Sequence, residues 1–268
     1  MDATMTSSPF LGTSADPAYC RATLYSALAL GFRAPNQETI ERLLSPAGTE
    51  ILTRAAALID AQPTLTATAL RLTRVKEQEH ALPSLAASYQ RLFGHTACGV
   101  VSPYETEYGD EALFQQPQEM GDLTGFYRAF GLALNNAEHE RPDHVSCECE
   151  FMAFLALKEA YALEHEDSTM WEETRRAGRL FLRDHLGRFG PAFAQKLVRA
   201  DERGFYGALG NLCFAFLSSE CERVGVTAGP VGLELRPAMD DRVPMACGSE
   251  GECTALPGGC EPEEMEDT

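Results

Sequence analysis

Cys247-x5-Cys253-x6-Cys260 gathers three thiols into one short run near the C-terminus. Three thiols so close together could hold zinc or an iron–sulfur cluster. Their spacing matches neither the Cys-x-x-Cys arms of zinc sites nor the ferredoxin runs. The surrounding carboxylates also raise thiol pKa values and oppose the thiolate that binds metal. These three cysteines are weak metal candidates, and no metal or other cofactor is assigned. Cys147-x-Cys149 points two thiols to different sides of a helix start, which suits core packing. Cys20, Cys98, Cys213 and Cys221 have no ligand-like neighbours.

Catalytic signatures are scarce. His139-Glu140 opens like a His-Glu-x-x-His metalloprotease motif, but the next histidine is His144 and Pro142 intervenes. The two imidazoles cannot share one helical face. Glu77-x-x-His80 is a single Glu-x-x-His, and a di-iron bundle needs two. There is no Walker A loop, no GxGxxG and no GxSxG elbow. An enzyme is not supported.

Two polar segments remain. Glu138-His-Glu-Arg-Pro-Asp-His144 reads as a loop whose Asp143 caps the next helix. The second reading is a cluster of carboxylates and imidazoles that binds a partner. The readings are compatible, since Asp143 can cap while Glu140 and His144 face outward. In Ser102-Pro-Tyr-Glu-Thr-Glu-Tyr108, Ser102, Pro103 and Glu105 fit a capping box with proline at N1. The same Tyr and Glu side chains, among them Tyr104, Glu105 and Tyr108, also suit a peptide that is both apolar and cationic.

The elements that must position these segments are helical. Leucine occurs 31 times against 9 valines and 3 isoleucines, a balance that favours helix over strand. Asp16-Pro17 looks like an N-cap with proline at the first helical position, opening a helix through Arg33. Apolar spacing predicts a short helix around Ile40 and Leu44, then helices over 47–60, 64–80, 82–93, 120–135, 144–164, 170–186, 191–199 and 201–224. Residues 94–110 form a long connection. Residues 151–157 are all apolar, which marks a central helix. Trp171 is expected to begin a helix and pack on its neighbour. The expected fold is all-α: 1–16 a flexible N-terminus, 17–228 a single helical bundle, and 229–268 a flexible tail. That tail holds 10 acidic and 2 basic residues and lacks the apolar groups to bury a core.

The 268 residues carry 22 basic and 40 acidic side chains, a formal charge of −18. Such a surface repels nucleic acid and anionic lipid and attracts cationic partners. The uncharged run 204–219 is about 16 residues and is broken by Gly207, Gly210 and Asn211, whereas a span needs about 20 apolar residues. The first 16 residues hold no Lys or Arg, so no charged signal-peptide start is visible. The expected location is the cytoplasm, without stable membrane insertion.

The order of motifs resembles the TorD/DmsD/NarJ family of redox-enzyme maturation chaperones over about residues 17–226. Arg21-Ala-Thr-Leu-Tyr25, then Phe32 and Pro35, is similar to the family's opening helix. Tyr89-Gln-Arg-Leu-Phe93-Gly94, the 102–108 segment and Phe126-Tyr-Arg-Ala-Phe-Gly131 follow in family order. Glu140-Arg-Pro-Asp-His144 leading into Glu150-Phe-Met152 resembles the family's Glu-x-Pro-Asp-His hinge and central helix. Phe181-Leu-Arg-Asp-His-Leu186 and Phe205-Tyr206 continue the match.

The resemblance implies an all-α bundle of TorD type, monomeric or homodimeric. It implies a chaperone that binds the twin-arginine signal peptide, or a nearby segment, of the catalytic subunit of a molybdopterin oxidoreductase of the dimethyl sulfoxide reductase type. The client is held in the cytoplasm until its cofactor is inserted. The implied peptide site is Pro142, Asp143 and His144 with Glu140 beside them, and less directly Tyr104, Glu105 and Tyr108. Carboxylates for guanidinium groups and an apolar groove are what such a peptide requires. The alternative is a metal or redox carrier acting through Cys247, Cys253 and Cys260.

Overall fold

A computed structural model describes residues 14–236 except 61–62, 73, 75–81, 95–99, 110–114 and 136–139. Within them run α1 (Asp16–Phe32), α2 (Gln37–Thr39), α3 (Pro46–Ile59), α4 (Thr64–Leu72), α5 (Leu82–Phe93), α6 (Gln115–Ala129), α7 (Val145–Glu164), α8 (Ser168–Asp184), α9 (Leu186–Ala200) and α10 (Phe205–Arg223). A π-helical turn, Ile40–Leu44, extends α2, and a 3-10 turn spans Glu105–Glu107. Among the described residues no strand forms; Tyr104 bridges His144 and Tyr108 bridges Leu235 in isolation. The all-α expectation holds. No described helix is long and apolar enough to cross a membrane.

The helices close a ring of contacts. α1 packs on α7, α7 on α8, α8 on α9, α9 on α10, α10 on α4, α4 on α3, and α3 back on α1. Inside it Tyr25 meets Phe216 edge-on at 4.6 Å and Phe32 meets Phe193 at 5.0 Å. Each such ring or leucine contributes roughly 1.5–3 kcal/mol by leaving water. Gly31 lets α1 approach α10, because a Cβ there would lie 2.5 Å from Leu209 Cδ2. One buried ionic cluster ties three helices: Arg21 of α1 reaches Glu159 of α7 at 2.6 Å and Glu220 of α10 at 3.8 Å. Arg223 and the Tyr25 hydroxyl complete the bonds to Glu220, as a buried charge requires.

In α7, Phe151, Met152, Ala153, Leu155 and Ala156 are buried and Phe154 is half-buried. Leu157 is 49 % exposed, so this central helix keeps one edge toward solvent. Trp171 lies inside α8, under the Arg175 guanidinium at 4.6 Å. Asp167 caps that helix by accepting from Met170 N.

Several boundaries differ from the expected ones for identifiable reasons. Asp16 does not cap α1: the N-cap is Ala15 and makes no side-chain bond, while Ser14 Oγ accepts from Asp16 N. α6 ends at Ala129, short of 135. Gly131, at φ +71°, donates to Arg128 O, and Leu132 N reaches back to Tyr127 O. That Schellman ending turns Leu132 and Leu134 out of helical register. α9 begins at Leu186, ahead of Pro191, with the proline inside it. Pro191 has no N–H for the Gly187 carbonyl four residues back; Gly229 N donates to that carbonyl instead, at 2.9 Å.

This last bond also bears on the C-terminal stretch. The expected tail opens at 229, but the described chain stays against the bundle to Arg236. Gly109 N donates to Glu234 O at 2.9 Å and Arg236 N to Glu107 O at 2.7 Å. The compact unit accordingly extends to Arg236. Backbone pairing and the packing of only two apolar side chains, Leu233 and Leu235, against the core hold these eight residues, so composition did not reveal them.

Candidate functional site

The loop 100–109 and the turn 140–144 lie side by side. Glu105 N donates to Asp143 O at 2.9 Å, and Val145 N to Pro103 O at 2.8 Å. Asp143 is shielded from solvent, and its Oδ2 accepts from the Thr106 hydroxyl at 2.7 Å and from Arg141 Nη2 at 2.7 Å. Arg141 Nε holds Oδ1 at 3.0 Å, and the same guanidinium lies over the Tyr104 ring at 4.4 Å. The turn is therefore locked onto the loop by one carboxylate and one guanidinium, a charge-assisted pair.

Asp143 is not the cap of α7. His144 is the N-cap, its Nδ1 accepting from Ser146 N at 3.2 Å. Because Nδ1 is an acceptor there, the ring proton sits on Nε2, which faces Glu140 Oε2 at 3.9 Å. Burial, with the charges of Arg33 and Arg141, holds the His144 pKa down at about 3. His144 is thus a neutral imidazole at physiological pH. The expected capping box of Ser102 and Glu105 is also absent. Ser102 Oγ accepts from Tyr104 N, and the Glu105–Glu107 turn has no side-chain cap.

Glu105 turns away from the 140–144 side. Its carboxylate is buried between Arg188 Nη2 at 2.8 Å and His185 Nδ1 at 3.1 Å, both at the start of α9. Arg188 continues to Glu119 of α6 at 3.5 Å, and Glu119 takes Arg236 at 2.9 Å. An ionic chain thereby ties the loop to α6, α9 and the C-terminal stretch. Tyr108 is buried on the same side; its hydroxyl donates to Ser102 O and its ring meets Phe189 at 5.5 Å. Beneath lies Glu148, with both oxygens buried and without a hydrogen-bond partner. Burial foremost, then the charges of Glu105 and Asp143, pushes its carboxyl well above the usual range, with Arg188 opposing.

Of the seven expected site residues, Tyr104, Glu140, Pro142, Asp143 and His144 are brought together. Glu105 and Tyr108 form the loop's inner anchor. Asp143, His144, Glu105 and Tyr108 are at most 1 % exposed, whereas Tyr104, Glu140 and Pro142 are partly exposed. Sequence reasoning did not single out Thr106, Arg141, Glu148, Arg188 or Arg236. Arg141 carried one signal, a lone base inside an acidic run. Cys247, Cys253 and Cys260 lie outside the described residues.

Next to the turn is a groove of about 190 Å³ between α7 and the chain leaving α6. Tyr127, Leu132, Leu134, Phe151 and Phe154 form its apolar lining, and Glu150 adds a carboxylate. Tyr127 also fixes the turn, its hydroxyl donating to Pro142 O at 2.8 Å. Arg33, at the end of α1, pairs with Glu150. A larger groove of about 660 Å³ lies between α1, α3, α4 and α10 and touches none of the expected site residues.

Known proteins match part of this chain. TorD from Vibrio cholerae serotype O1, named as a chaperone protein, is 30% identical over 151 residues, 56% of this chain and 66% of that protein. The selenate reductase assembly chaperone of Thauera selenatis is 38% identical over 113 residues, 41% of this chain and 55% of its own length. The chlorate reductase assembly chaperone of Ideonella dechloratans is 37% identical over 121 residues, covering 42% and 58%. The chain thus spans a little under two thirds of the first of these relatives. A family described as nitrate reductase delta subunit matches residues 53–195, which include the 102–109 loop, the 140–144 turn, His185 and Arg188. By that match over more than half of its length, the chain belongs to the nitrate reductase delta subunit family, the family of the NarJ and TorD chaperones.

Proposed function

We propose that this protein is an assembly chaperone for the catalytic subunit of a molybdopterin oxidoreductase of the dimethyl sulfoxide reductase type. It acts in the cytoplasm, holding a twin-arginine signal peptide or a nearby segment until the cofactor is in place. One observation carries the reading. The stretch that matches the family, 53–195, is the stretch that builds the locked loop and turn, and relatives matching this chain are named as chaperones of reductases. The roles of the seven residues then divide by exposure. Glu140, Pro142 and Tyr104 meet the client, while Asp143, His144, Glu105 and Tyr108 hold them in place. A formal charge of −18 speeds encounter with a cationic segment, and salt weakens that effect.

The test is an affinity pull-down of the full chain from its native host under anaerobic respiration, with mass spectrometry of the co-purifying proteins. A molybdenum-enzyme catalytic subunit in near-equal amount is expected. Its absence, with only the bait recovered, overturns the reading.

A further inference from the structure

The groove beside the turn combines two features that specify a ligand. Its lining is apolar apart from Glu150, and its volume, about 190 Å³, exceeds the roughly 150 Å³ cavity that accepts a benzene ring. One ring or one branched aliphatic side chain fits. Glu150 brings the carboxylate, and that carboxylate is already occupied by a guanidinium of the chain itself, Arg33. The groove is reproducible from sequence because Cys147, Glu150, Phe151 and Phe154 recur at helical spacing on one face of α7. The opposite wall exists because the Schellman ending of α6 releases Leu132 and Leu134 from the helix as irregular chain.

The Arg33–Glu150 pair is built to exchange. Its side chains are 33 % and 45 % exposed, so opening it strands no buried charge, and pairs this exposed hold weakly. Arg33 has left α1 for extended backbone at φ −79°, ψ 166°, followed by Ala34-Pro35, so it can move without unwinding the helix. Glu140, facing His144 at 3.9 Å, brings a second carboxylate to the same end of α7.

We propose that this groove seats a client segment in which arginine adjoins apolar residues, and that the client arginine displaces Arg33 from Glu150. Arg33 is then an internal stand-in for the ligand: it shields the carboxylate in the empty protein and competes with weak cationic segments. An arginine fits better than a lysine, since a planar guanidinium matches a carboxylate with two parallel bonds. The inference rests on the assembly-chaperone reading and adds to it a seat for the client arginine and a specificity residue, Arg33.

The test uses full-length protein and a fluorescent synthetic peptide bearing Arg-Arg followed by a leucine-rich stretch, with a Lys-Lys version as control. Affinity is read by anisotropy and folding by thermal melting. Arg33→Gln is expected to bind the peptide about three- to fivefold more tightly, because the competitor is gone. Glu150→Gln is expected to bind it about threefold or more weakly and to lose the preference for Arg-Arg. Phe154→Ser is expected to weaken it about tenfold by removing apolar lining. Unchanged or weaker binding by Arg33→Gln, with unchanged melting, overturns the displacement. If the wild-type chain ignores the peptide yet co-purifies with a reductase subunit, this inference falls and the chaperone reading stands. If it does neither, both fall.

Discussion

The Thr106 hydroxyl donates to Asp143 Oδ2 at 2.7 Å across 37 residues of sequence, with both residues shut off from solvent. This bond helps to make the loop and the turn one object. Neither segment has regular structure of its own beyond a 3-10 turn and two isolated bridges, Tyr104 to His144 and Tyr108 to Leu235. The short polar side chain at 106 and the carboxylate at 143 reinforce the two backbone bonds, Glu105 N to Asp143 O and Val145 N to Pro103 O, that also join the segments.

Asp143→Ala should therefore act through stability as well as through binding. The substitution strips Arg141 and Thr106 of their shared acceptor, at a cost of about 2–3 kcal/mol for bonds to a charged group. Thr106→Val should cost about 1–2 kcal/mol, and the double variant less than the sum, since the two share one bond. Urea unfolding of the four proteins checks this. An Asp143→Ala protein that unfolds with the wild type would show that the lock carries no energy.

His144 makes stability sensitive to acid. Its pKa is about 3 when folded and about 6.5 when unfolded. Between those values the unfolded chain binds a proton that the folded one refuses. Stability is fully present above about pH 6.5 and falls below it by up to about 1.4 kcal/mol per pH unit. His144→Asn keeps an acceptor for Ser146 N, since asparagine caps well, and removes the titration. Melts across pH 4 to 7 should show the variant gaining on the wild type as pH falls; parallel curves would contradict the burial argument.

The helices were legible because leucine spacing and proline breaks act locally; α5 has the bounds that periodicity assigns. The two site segments were legible for the same reason, as uncharacteristic runs of Tyr, Glu, Asp and His. What they do for each other was not. The choice between Asp143 and His144 as cap of α7 depends on Thr106 and Arg141 claiming Asp143 first, a tertiary event. The docking of 229–236 was hidden likewise, because it depends on a carbonyl at Gly187 freed by a proline four residues later. Glu148 looks in sequence like any first-turn acid on a helix; only packing shows it sealed beneath Glu105 and Asp143.

Glu148 should respond to pH in the opposite sense to His144. Burial raises its folded pKa, so the folded state holds a proton that the unfolded state releases above about pH 4.5. Stability falls as pH rises through that window. Glu148→Gln is neutral throughout, so it should be more stable than the wild type at alkaline pH, with the gap closing toward pH 5. Chemical unfolding at pH 5 and pH 9 measures the gap. A gap that is equal at both, or wider at pH 5, would mean that Glu148 is ionised in the folded protein and held by something other than its neighbours.

The end of the folded unit can be located by truncation. Chains ending at 236 and at 228 differ by the segment that supplies Gly229 N to Gly187 O, Glu234 O to Gly109 N, and Arg236 N to Glu107 O. Three such bonds contribute about 1 kcal/mol each, and the shorter chain also loses the Arg236–Glu119 pair at the end of the ionic chain from Glu105. The chain ending at 228 should be less stable than the one ending at 236 by about 3 kcal/mol or more. Gly229→Ala within the full chain should reproduce part of that loss, because a Cβ there would lie 1.8 Å from the Arg188 carbonyl oxygen. If both truncations melt together, the 102–109 loop stands without its C-terminal strap, and Glu105 is held by His185 and Arg188 alone.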